Sequence, residues 1–511
     1  MQTTKTAKVW PTRKLVMIPE PALEFRHGQL LSDPHDGLGL FGPFDADSSP
    51  PGTPVYMLLG TESGIELFNQ WSRAMNEPWI ESPAEVKNAD LWRPYPGFEA
   101  AFGSSWNQKA AFTHRINTAR LLSASRDADP YQRAATVVQL YLEGLEKSQK
   151  LEENLHVAIC IVPDDVYANC RPESIVAEPE GVSVTRGVIR ERKHGQQNFL
   201  EPYDHHLYRR SPDFRRQLKA LAMEYEPPVQ IIRESTLRLS SKNNFGERGV
   251  SPLSDRMWNL GTGLYYKAGG KPWRLASARD GVCYIGLAFR LSDRQFDGRT
   301  ACCAAQMFLN DGDGVVFLGE YGPWYSPEKN EFHLDEEAAQ GVLKGVLDTY
   351  RDLGGKRLTE VFLHSRSGLG PDELRGFQKA CPSDAKLVGV RIRNERLGFR
   401  LFRPGTRPVI RGIFSAVTER AGYLWGTGFK PRLGTYDGWE VPVPMRIDVQ
   451  YGTADLETVA TDILGLTKLN YNACRMGDAS PVTIGFSDAV GEILISNPDV
   501  KKRRPQFKYY I

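Results

Sequence analysis

The sequence lacks a long apolar run, and its net charge is small. None of its hydrophobic stretches approaches the roughly eighteen residues that a membrane-spanning helix requires. Lysine and arginine number 64 against 62 acidic residues, so the formal net charge is only +2 and any nucleic-acid-binding surface must be a local patch. The first residues, MQTTKTAKVWPTRK, contain no apolar signal-peptide core. We therefore expect a soluble, cytoplasmic protein that makes no membrane contact.

The seven cysteines do not have the spacing of metal ligands. Cys302 and Cys303 are adjacent, and the others lie far apart in the chain. An odd number of cysteines in apolar contexts such as HVAIC and GVCYIG indicates free thiols in a reducing compartment. With 511 residues, 41% of them hydrophobic and 25% charged, the composition is that of a globular protein with about two to four domains.

Hydrophobic patterns predict an α/β protein with two lobes. Residues 156–163, HVAICIVP, form a nearly continuous apolar strand of the kind buried in a parallel sheet. Alternating strands and helices from there to Lys267 predict a Rossmann-like lobe. From Ala276 onward, three consecutive strands (GVCYIGLAFRLS, ACCAAQMFLND and GVVFLGEYG) precede alternating helices and strands. This order predicts an RNase H-like second lobe.

The stretch 211–236 combines a helix, a strand and two cations. Ser211 is a good N-cap for a helix that carries Arg215 and Lys219, which are four residues apart and so project from one face. After two prolines, Gln230 lies in a short apolar strand. These side chains could form an anion pocket. The alternative is a solvated helix face beside an ordinary strand.

Three stretches give the chain a resemblance to short prokaryotic Argonautes: 211–236, VPVPMR at 441–446, and LTKLNYN at 466–472 followed by Pro481-Val-Thr. The resemblance implies a Rossmann-like MID lobe followed by an RNase H-like PIWI lobe, without N or PAZ domains. It implies an N-terminal segment packed on both lobes (1–150), a MID domain that binds the 5′ end of a guide strand (151–275) and a PIWI domain (276–511).

The same resemblance assigns a binding site for the 5′ phosphate of a guide strand. Arg215, Lys219 and Gln230 match the spacing of the family's phosphate ligands, and Lys267 before Ala-Gly-Gly matches the last of them. The family also places the terminal carboxylate of the chain, here that of Ile511, in this pocket. There it bridges to the phosphate through a divalent cation, so we expect Mg²⁺ held with the help of Gln230.

The catalytic carboxylates of the family are missing at two positions. Ala288 occupies the Gly-x-Asp position of the first strand of the second lobe, and Ser365 is the best match at the end of VFLHS. Asp488 could fill the fourth position, but one carboxylate cannot hold the two metal ions that cleavage needs. The resemblance therefore implies a PIWI lobe that is not an enzyme.

A run of arginines follows, and two further polar residues flank Ser365. The arginines could hold the backbone of a duplex or form a solvated strand face. His364 and Arg366 could contact nucleic acid, but a histidine at a strand end is more often simply hydrogen-bonded in place. The arginines of the run are Arg391, Arg393, Arg396, Arg400 and Arg403.

Taken together, the residues and the resemblance predict the recognition subunit of a two-component prokaryotic immune system. It would bind a small 5′-phosphorylated guide RNA and complementary single-stranded target DNA. Target binding would activate a partner with an APAZ domain fused to a sirtuin-like or TIR NADase or to a nuclease. One alternative is an active guided endonuclease that uses Asp488. The other is a structural interaction protein that binds no guide.

Overall fold

A computed structural model describes residues 15–48, 50–81, 91–193, 203–239, 251–291, 301–308, 314–395, 399–436, 438, 440–500 and 502–511. Within these ranges it leaves out six side chains, those of Cys302, Val315, Glu320, Tyr321, Ser487 and Asp488. The predicted turn between the second and third strands of the second lobe, at 310–313, and Arg396 lie outside the described residues. None of the described helices is both long and apolar enough to cross a bilayer.

The strands of the described chain are numbered in chain order. They are β1 (Leu15–Met17), β2 (Leu23–Glu24), β3 (Leu30–Leu31), β4 (Tyr56–Gly60), β5 (Phe112–Arg115), β6 (Val157–Val162), β7 (Val229–Arg233), β8 (Arg274–Leu275), β9 (Val282–Leu291), β10 (Ala301–Phe308), β11 (Gly314–Gly322), β12 (Tyr325–Ser326), β13 (Glu331–Phe332), β14 (Glu360–Ser365), β15 (Lys386–Asn394), β16 (Ile413–Thr418), β17 (Ala421–Leu424) and β18 (Met445–Tyr451).

The α-helices are numbered in the same way, and short 3-10 helices lie at Arg26–Gly28, Pro431–Leu433 and Phe507–Tyr509. The α-helices are α1 (Pro34–Phe41), α2 (Glu62–Ala74), α3 (Phe98–Phe102), α4 (Thr118–Arg126), α5 (Pro130–Ser148), α6 (Asp164–Asn169), α7 (Arg186–Lys193), α8 (His205–Tyr208), α9 (Phe214–Ala222), α10 (Glu234–Leu237), α11 (Leu253–Lys267), α12 (Glu336–Asp352), α13 (Pro371–Ala380), α14 (Leu456–Leu466), α15 (Val482–Gly485) and α16 (Ser487–Ile495).

Four parallel strands form the smaller of the two main sheets, in the order β5-β4-β6-β7. Every residue of β6 is buried, as its continuous apolar sequence predicts. β4 and β5 both come from residues 1–150, so this segment supplies half of the sheet. The domain boundary expected at residue 151 therefore divides the small sheet. The strand β4, with the apolar sequence YMLLG, is completely buried in that sheet.

Nine strands form the large sheet, in the order β1-β16-β17-β18-β15-β14-β9-β10-β11. β9, β10 and β11 are an antiparallel meander, and β14 and then β15 continue the sheet parallel to β9. The sequence predicts this order, a three-strand meander followed by alternating helices and strands. At the far edge β1 pairs antiparallel with β16, with Leu15 opposite Ser415, so the N-terminal segment contributes to this sheet as well.

One continuous hydrophobic cluster joins the two sheets. It includes Leu58 and Ile159 of the small sheet, Trp258 and Leu264 of α11, and Tyr284 of the large sheet. The sheets are therefore connected by buried side chains as well as by the chain itself.

The LTKLNYN block ties the N-terminal segment to this core. The Lys468 ammonium is buried and donates to Glu20 Oε1 (2.9 Å) and to the main-chain oxygen of Ser32 (2.5 Å). Arg411 also contacts Glu20, at 2.9 Å. Burial lowers the pKa of Lys468 to about 8. Although burial alone would raise the pKa of Glu20, the charges of Arg411 and Lys468 lower it. The block therefore has a structural role.

Candidate anion-binding site

The helix that carries the predicted cations is α9, and its N-cap is Asp213 rather than Ser211. The Asp213 side chain accepts a hydrogen bond from the amide of Arg216 (3.0 Å), which is the contact of an N-cap. Ser211 is held outside the helix because its amide donates to the main-chain oxygen of Ser496 (2.7 Å). The correction moves the start by two residues and leaves the relative positions of Arg215 and Lys219 unchanged.

Lys219 and Lys267 meet at a single oxygen atom. The Lys219 ammonium donates to the main-chain oxygen of Ile511 and lies 3.4 Å from that of Val229. The Lys267 ammonium donates to the same Ile511 oxygen, at 2.5 Å. Both lysines are buried, one on α9 and the other at the end of α11. The structure thus brings together Lys219, Lys267 and Ile511, three of the residues that the resemblance groups.

Helix α11 ends as its Lys267-Ala-Gly-Gly sequence predicts. Gly269 has a φ of +104° and donates to the oxygen of Tyr266 (3.0 Å), which turns the chain away from the helix. The turn leaves Lys267 in the last turn of α11, with its side chain directed at Ile511.

Burial and the repulsion of nearby cations lower the pKa of both lysines. The pKa of Lys219 is lowered well below its usual value by burial and then by the charges of Lys267 and Arg215. The pKa of Lys267 is lowered to about 7 by burial, by Arg215 and by Lys508. Arg215 itself is exposed. Since an anion would relieve this repulsion, the cluster is suited to bind one.

Lys508 is the member of this cluster that sequence reasoning missed. Its ammonium donates to the main-chain oxygen of Lys267 at 3.5 Å, and it lies in the 3-10 helix Phe507–Tyr509 near the end of the chain. The available signal was the basic and aromatic composition of KKRRPQFKYYI, which predicted burial of this segment but not the role of one lysine.

Gln230 contributes an oxygen that has no partner among the described residues. Its side chain is half-buried in β7, and its amide nitrogen donates to the oxygen of Ile231 (3.2 Å). Its Oε1 atom is buried and accepts no hydrogen bond. A buried amide oxygen of this kind is costly unless water, a cation or a ligand satisfies it.

The final residues are buried, as their aromatic composition predicts. Phe507 packs edge-on against Phe308 and Phe486, both with ring centroids 5.2 Å away, and the Tyr509 hydroxyl donates to the oxygen of Glu226 (2.8 Å). Ile511 is 5% exposed. These contacts hold the Ile511 oxygen in place between the two lysines.

Ala288 and Ser365, the two positions expected to have lost carboxylates, lie on opposite faces of the large sheet. His364 of β14 is opposite Gly286 of β9, so two residues further along Arg366 shares the face of Ala288. Ser365 points to the other face. Helix α16 covers Ala288, since a Cβ placed on Gly491 would lie 4.0 Å from that of Ala288. By this register, Arg366 lies beside Ala288 on the same face of the sheet.

His364 and Arg366 are engaged by α15. Nδ1 of the buried His364 ring lies 2.9 Å from Thr483 Oγ1, and burial lowers the pKa of His364 to about 3. Arg366 donates to the main-chain oxygen of Ile484 (3.2 Å). The imidazole is therefore neutral, in agreement with the structural alternative for this histidine.

The described residues contain no group of three or more His, Cys, Asp or Glu side chains placed to hold a metal ion. The side chain of Asp488, on which the endonuclease alternative depends, lies outside the described part of the structure, as does that of Glu320.

Most arginines of the predicted run have partners within the chain. Arg391 pairs with Glu331 (2.7 Å), Arg400 donates to two main-chain oxygens, and Arg403 donates to that of Arg407. Arg393 differs, because it lies opposite Arg446 across the β15–β18 pair and its buried Nε has no hydrogen-bond partner among the described residues.

Comparisons with known proteins identify relatives of one kind. No protein-family model matches the chain. Over 290 residues it is 21% identical to the Argonaute of Aquifex aeolicus, a match that covers 56% of this chain and 36% of that protein. In sequence, the chain is thus similar to an Argonaute over part of its length.

Solved structures give a likeness over nearly the whole chain. The Argonaute of Clostridium butyricum, bound to a guide DNA and a 19-mer target DNA, superposes with a TM-score of 0.61 at 14% identity and covers 98% of this chain. The A. aeolicus Argonaute with externally bound siRNA has a TM-score of 0.57 at 15% identity. The chain spans 55% and 56% of these two structures. It therefore has an Argonaute-like α/β fold, and it spans about half the length of these relatives.

Proposed function

We propose that this chain is an Argonaute of the short MID–PIWI type, and that its cation cluster holds the 5′ phosphate of a guide strand. The lobe of the small sheet is then the MID lobe, and that of the large sheet is the PIWI lobe. The convergence of Lys219 and Lys267 on one buried oxygen of the terminal carboxylate carries the proposal, because the two ammonium groups together with the nearby Arg215 exceed that single negative charge and favour a further anion.

The chemistry of a terminal phosphate matches the cluster. Such a group carries close to two negative charges and several acceptor oxygens, so it is best held by several cations and an amide. Lys219 and Lys267 supply buried charge, and Arg215 supplies an exposed charge at the rim. A phosphate beside Lys267 would raise the pKa of that lysine and keep it protonated.

Magnesium fits the same pocket. A hard divalent cation takes oxygen ligands, and the unpartnered Oε1 of Gln230 together with the Ile511 oxygen provides two of them. Gln230 and Ile511 would hold such an ion, whose charge would offset part of the negative charge of the phosphate. Gln230 and Ile511 are therefore the residues that we assign to the metal.

We propose further that the PIWI lobe binds a duplex without cleaving it. The face that carries Ala288 is covered by α16, and Arg366 shares that face, so a cation stands where a metal-binding carboxylate would be needed. Arg393 lies opposite Arg446 across the β15–β18 pair and could hold a backbone phosphate, whereas Arg446 already pairs with Asp448 at 3.0 Å. The second candidate, a guided endonuclease, requires Asp488 and further carboxylates.

The remainder of the proposal extends the resemblance. The guide would be RNA and the target single-stranded DNA in the cytoplasm, with specificity supplied by base pairing. Without its own cleavage, the complex would act by activating an APAZ-domain partner that carries a sirtuin-like or TIR NADase or a nuclease. Recovery of the protein from its host, with its bound nucleic acid and partner, would identify both.

The phosphate pocket is tested by comparing guide strands with a 5′ phosphate and with a 5′ hydroxyl. Lys219→Met and Gln230→Ala should each weaken binding of the phosphorylated strand by roughly 10- to 100-fold, the effect of losing one charge-assisted contact. Binding of the hydroxyl strand should change little. Lys344→Met, at an exposed lysine of α12, is the matched control. Equal losses for both strands would refute the pocket.

The two alternatives have separate tests. Cleavage of a paired target in Mg²⁺ or Mn²⁺ that is abolished by Asp488→Ala would establish the endonuclease. Purified protein from which no short 5′-phosphorylated strands can be extracted would favour a structural protein that binds no guide.

A further inference from the structure

A cavity of about 980 Å³ lies beside the phosphate pocket and is distinct from it. It opens where α11 and α12 end and where β9 and β14 begin, and the segment Gln506–Lys508 forms one of its sides. Neither Lys219 nor Gln230 lines it. It therefore lies between elements of both lobes, a common position for ligand sites.

Glycine turns and aromatic rings form much of its wall. α11 is followed by Gly269-Gly270 and α12 by Gly354-Gly355, and a Cβ at Gly269 or Gly354 would meet nothing within 4 Å. The amides of these turns are already bonded to carbonyls of their own helices, at 2.9–3.0 Å. These turns therefore offer surface for stacking, while their amides are not available to pair with a bound peptide backbone.

The charge around the cavity is predominantly positive. Among the described residues that line it, Asp280 is the one acidic side chain against five basic ones. Arg279 forms an ion pair with Glu360, and Arg357 forms one with Asp384. The two helix C-termini add only about half a negative charge each. The five basic residues are Lys271, Arg279, Lys356, Arg357 and Lys508.

Lys508 connects the cavity to the phosphate pocket. It lines the cavity, its ammonium contacts the main-chain oxygen of Lys267, and its charge contributes to the low pKa of Lys267. A negatively charged ligand in the cavity would therefore reduce the repulsion on the phosphate pocket.

We propose that this cavity is a second site that binds one nucleotide, with the base against Tyr350 and the phosphate among Lys356 and Lys508. A nucleotide combines a flat aromatic ring with negative charge, and a cavity of this volume is large enough for it. The nucleotide is either a free mononucleotide or one unit of a bound strand. The site goes beyond the proposed function, because it does not depend on a guide in the phosphate pocket.

Titration of the full-length protein with adenosine 5′-monophosphate tests the site. The Lys219→Met background weakens the phosphate pocket, so the dependence of the remaining saturable binding on Lys356 assigns that binding to the cavity. We expect one site per chain, weakened about tenfold or more by Lys356→Glu and unchanged by Lys344→Glu, a matched reversal on the same lobe. Adenosine and inorganic phosphate alone should each bind more weakly. Photo-crosslinking with 8-azido-AMP should label the peptide that contains Tyr350.

Different outcomes distinguish the sources and overturn the proposal. If a preloaded strand blocks labelling, the cavity holds a nucleotide of that strand; if labelling persists, it takes a free nucleotide. The proposal fails if Lys219→Met abolishes all binding of adenosine 5′-monophosphate, if the two charge reversals act alike, or if the cavity takes the acidic peptide Glu-Phe-Glu instead. A failed phosphate pocket with an intact cavity site would refute only the proposed function.

Discussion

The ammonium groups of Lys219 and Lys267, from two different helices, donate to one main-chain oxygen, that of Ile511. Like charges come this close at a buried position only if something else compensates them. In the protein without a guide strand, this arrangement lowers the pKa of each lysine, which a titration can measure.

The stability of the protein without a guide strand should rise as the pH increases above about 7. Lys267 has a pKa of about 7 when folded and about 10.4 when unfolded, so between these values the unfolded chain holds more protons. This lysine alone contributes up to about 1.4 kcal/mol of stability per pH unit in that window. Thermal unfolding at pH 7.5 and 9 should show a smaller gain in Lys267→Met than in the wild type. Equal gains would contradict the buried, repelled lysine.

Binding of a 5′-phosphorylated strand should weaken as the pH rises from 7 to 9. The negative charge of the phosphate favours protonated Lys267, which takes its proton from the solvent, so the complex takes up about one proton and the affinity falls by as much as tenfold per pH unit. Calorimetry in buffers of different ionisation enthalpy measures this uptake directly. A 5′-hydroxyl strand serves as the control and should show no such uptake. A pH-independent affinity for the phosphorylated strand would remove Lys267 from the site.

Glu492→Gln should loosen α9 from the large sheet. Glu492 of α16 pairs with Arg216 of α9 and with Arg290 of β9, the latter at 2.8 Å. All three groups are partly exposed, so we expect a loss of only about 1 kcal/mol. Hydrogen exchange should show faster opening of α9, while Glu337→Gln on the exposed face of α12 leaves it unchanged. Unaltered exchange in Glu492→Gln would mean that packing alone holds the helix.

Ala288→Asp should not create a nuclease. The new carboxylate would be buried under α16 beside Arg366, and the described carboxylate on that helix, Glu492, is already paired with Arg216 and Arg290. We expect a loss of stability on the order of 3 kcal/mol, because Arg366 already bonds to the main chain of α15 and only partly offsets the cost of burying a carboxylate, and no target cleavage in Mg²⁺ or Mn²⁺. Ala288→Ser controls for size. Cleavage by the single variant would show that one substitution separates this lobe from an active enzyme.

Local patterns predicted much of the candidate site. The four-residue spacing of Arg215 and Lys219, the strand around Gln230 and the glycine cap after Lys267 are all set by short-range rules. Of these residues, the structure brings Lys219 and Lys267 to one oxygen atom. The contribution of Lys508 could not be read in this way, because its position depends on how the last residues pack between the lobes.

The features that the sequence did not predict depend on pairing between distant parts of the chain. The many turn signals of residues 1–110 concealed β4, which is completely buried in the small sheet. The face of Ser365 depends on the register between β14 and β9, and a shift of one residue reverses it. The N-cap of α9 is Asp213 and not Ser211, because the Ser211 amide bonds to the main-chain oxygen of Ser496 in a distant part of the chain.

The pairing of β1 with β16 has a consequence for how this protein can be made. β1 cannot pair with β16 until residues 413–418 have been synthesised. Glu20, just beyond β1, likewise cannot form its ion pairs until Arg411 and Lys468 have been synthesised. Pairings of such long range fold slowly and expose unsatisfied edges in the meantime. Fragments cut at residue 151 or 275 should therefore be poorly soluble when expressed alone, and co-expression of complementary pieces should rescue them.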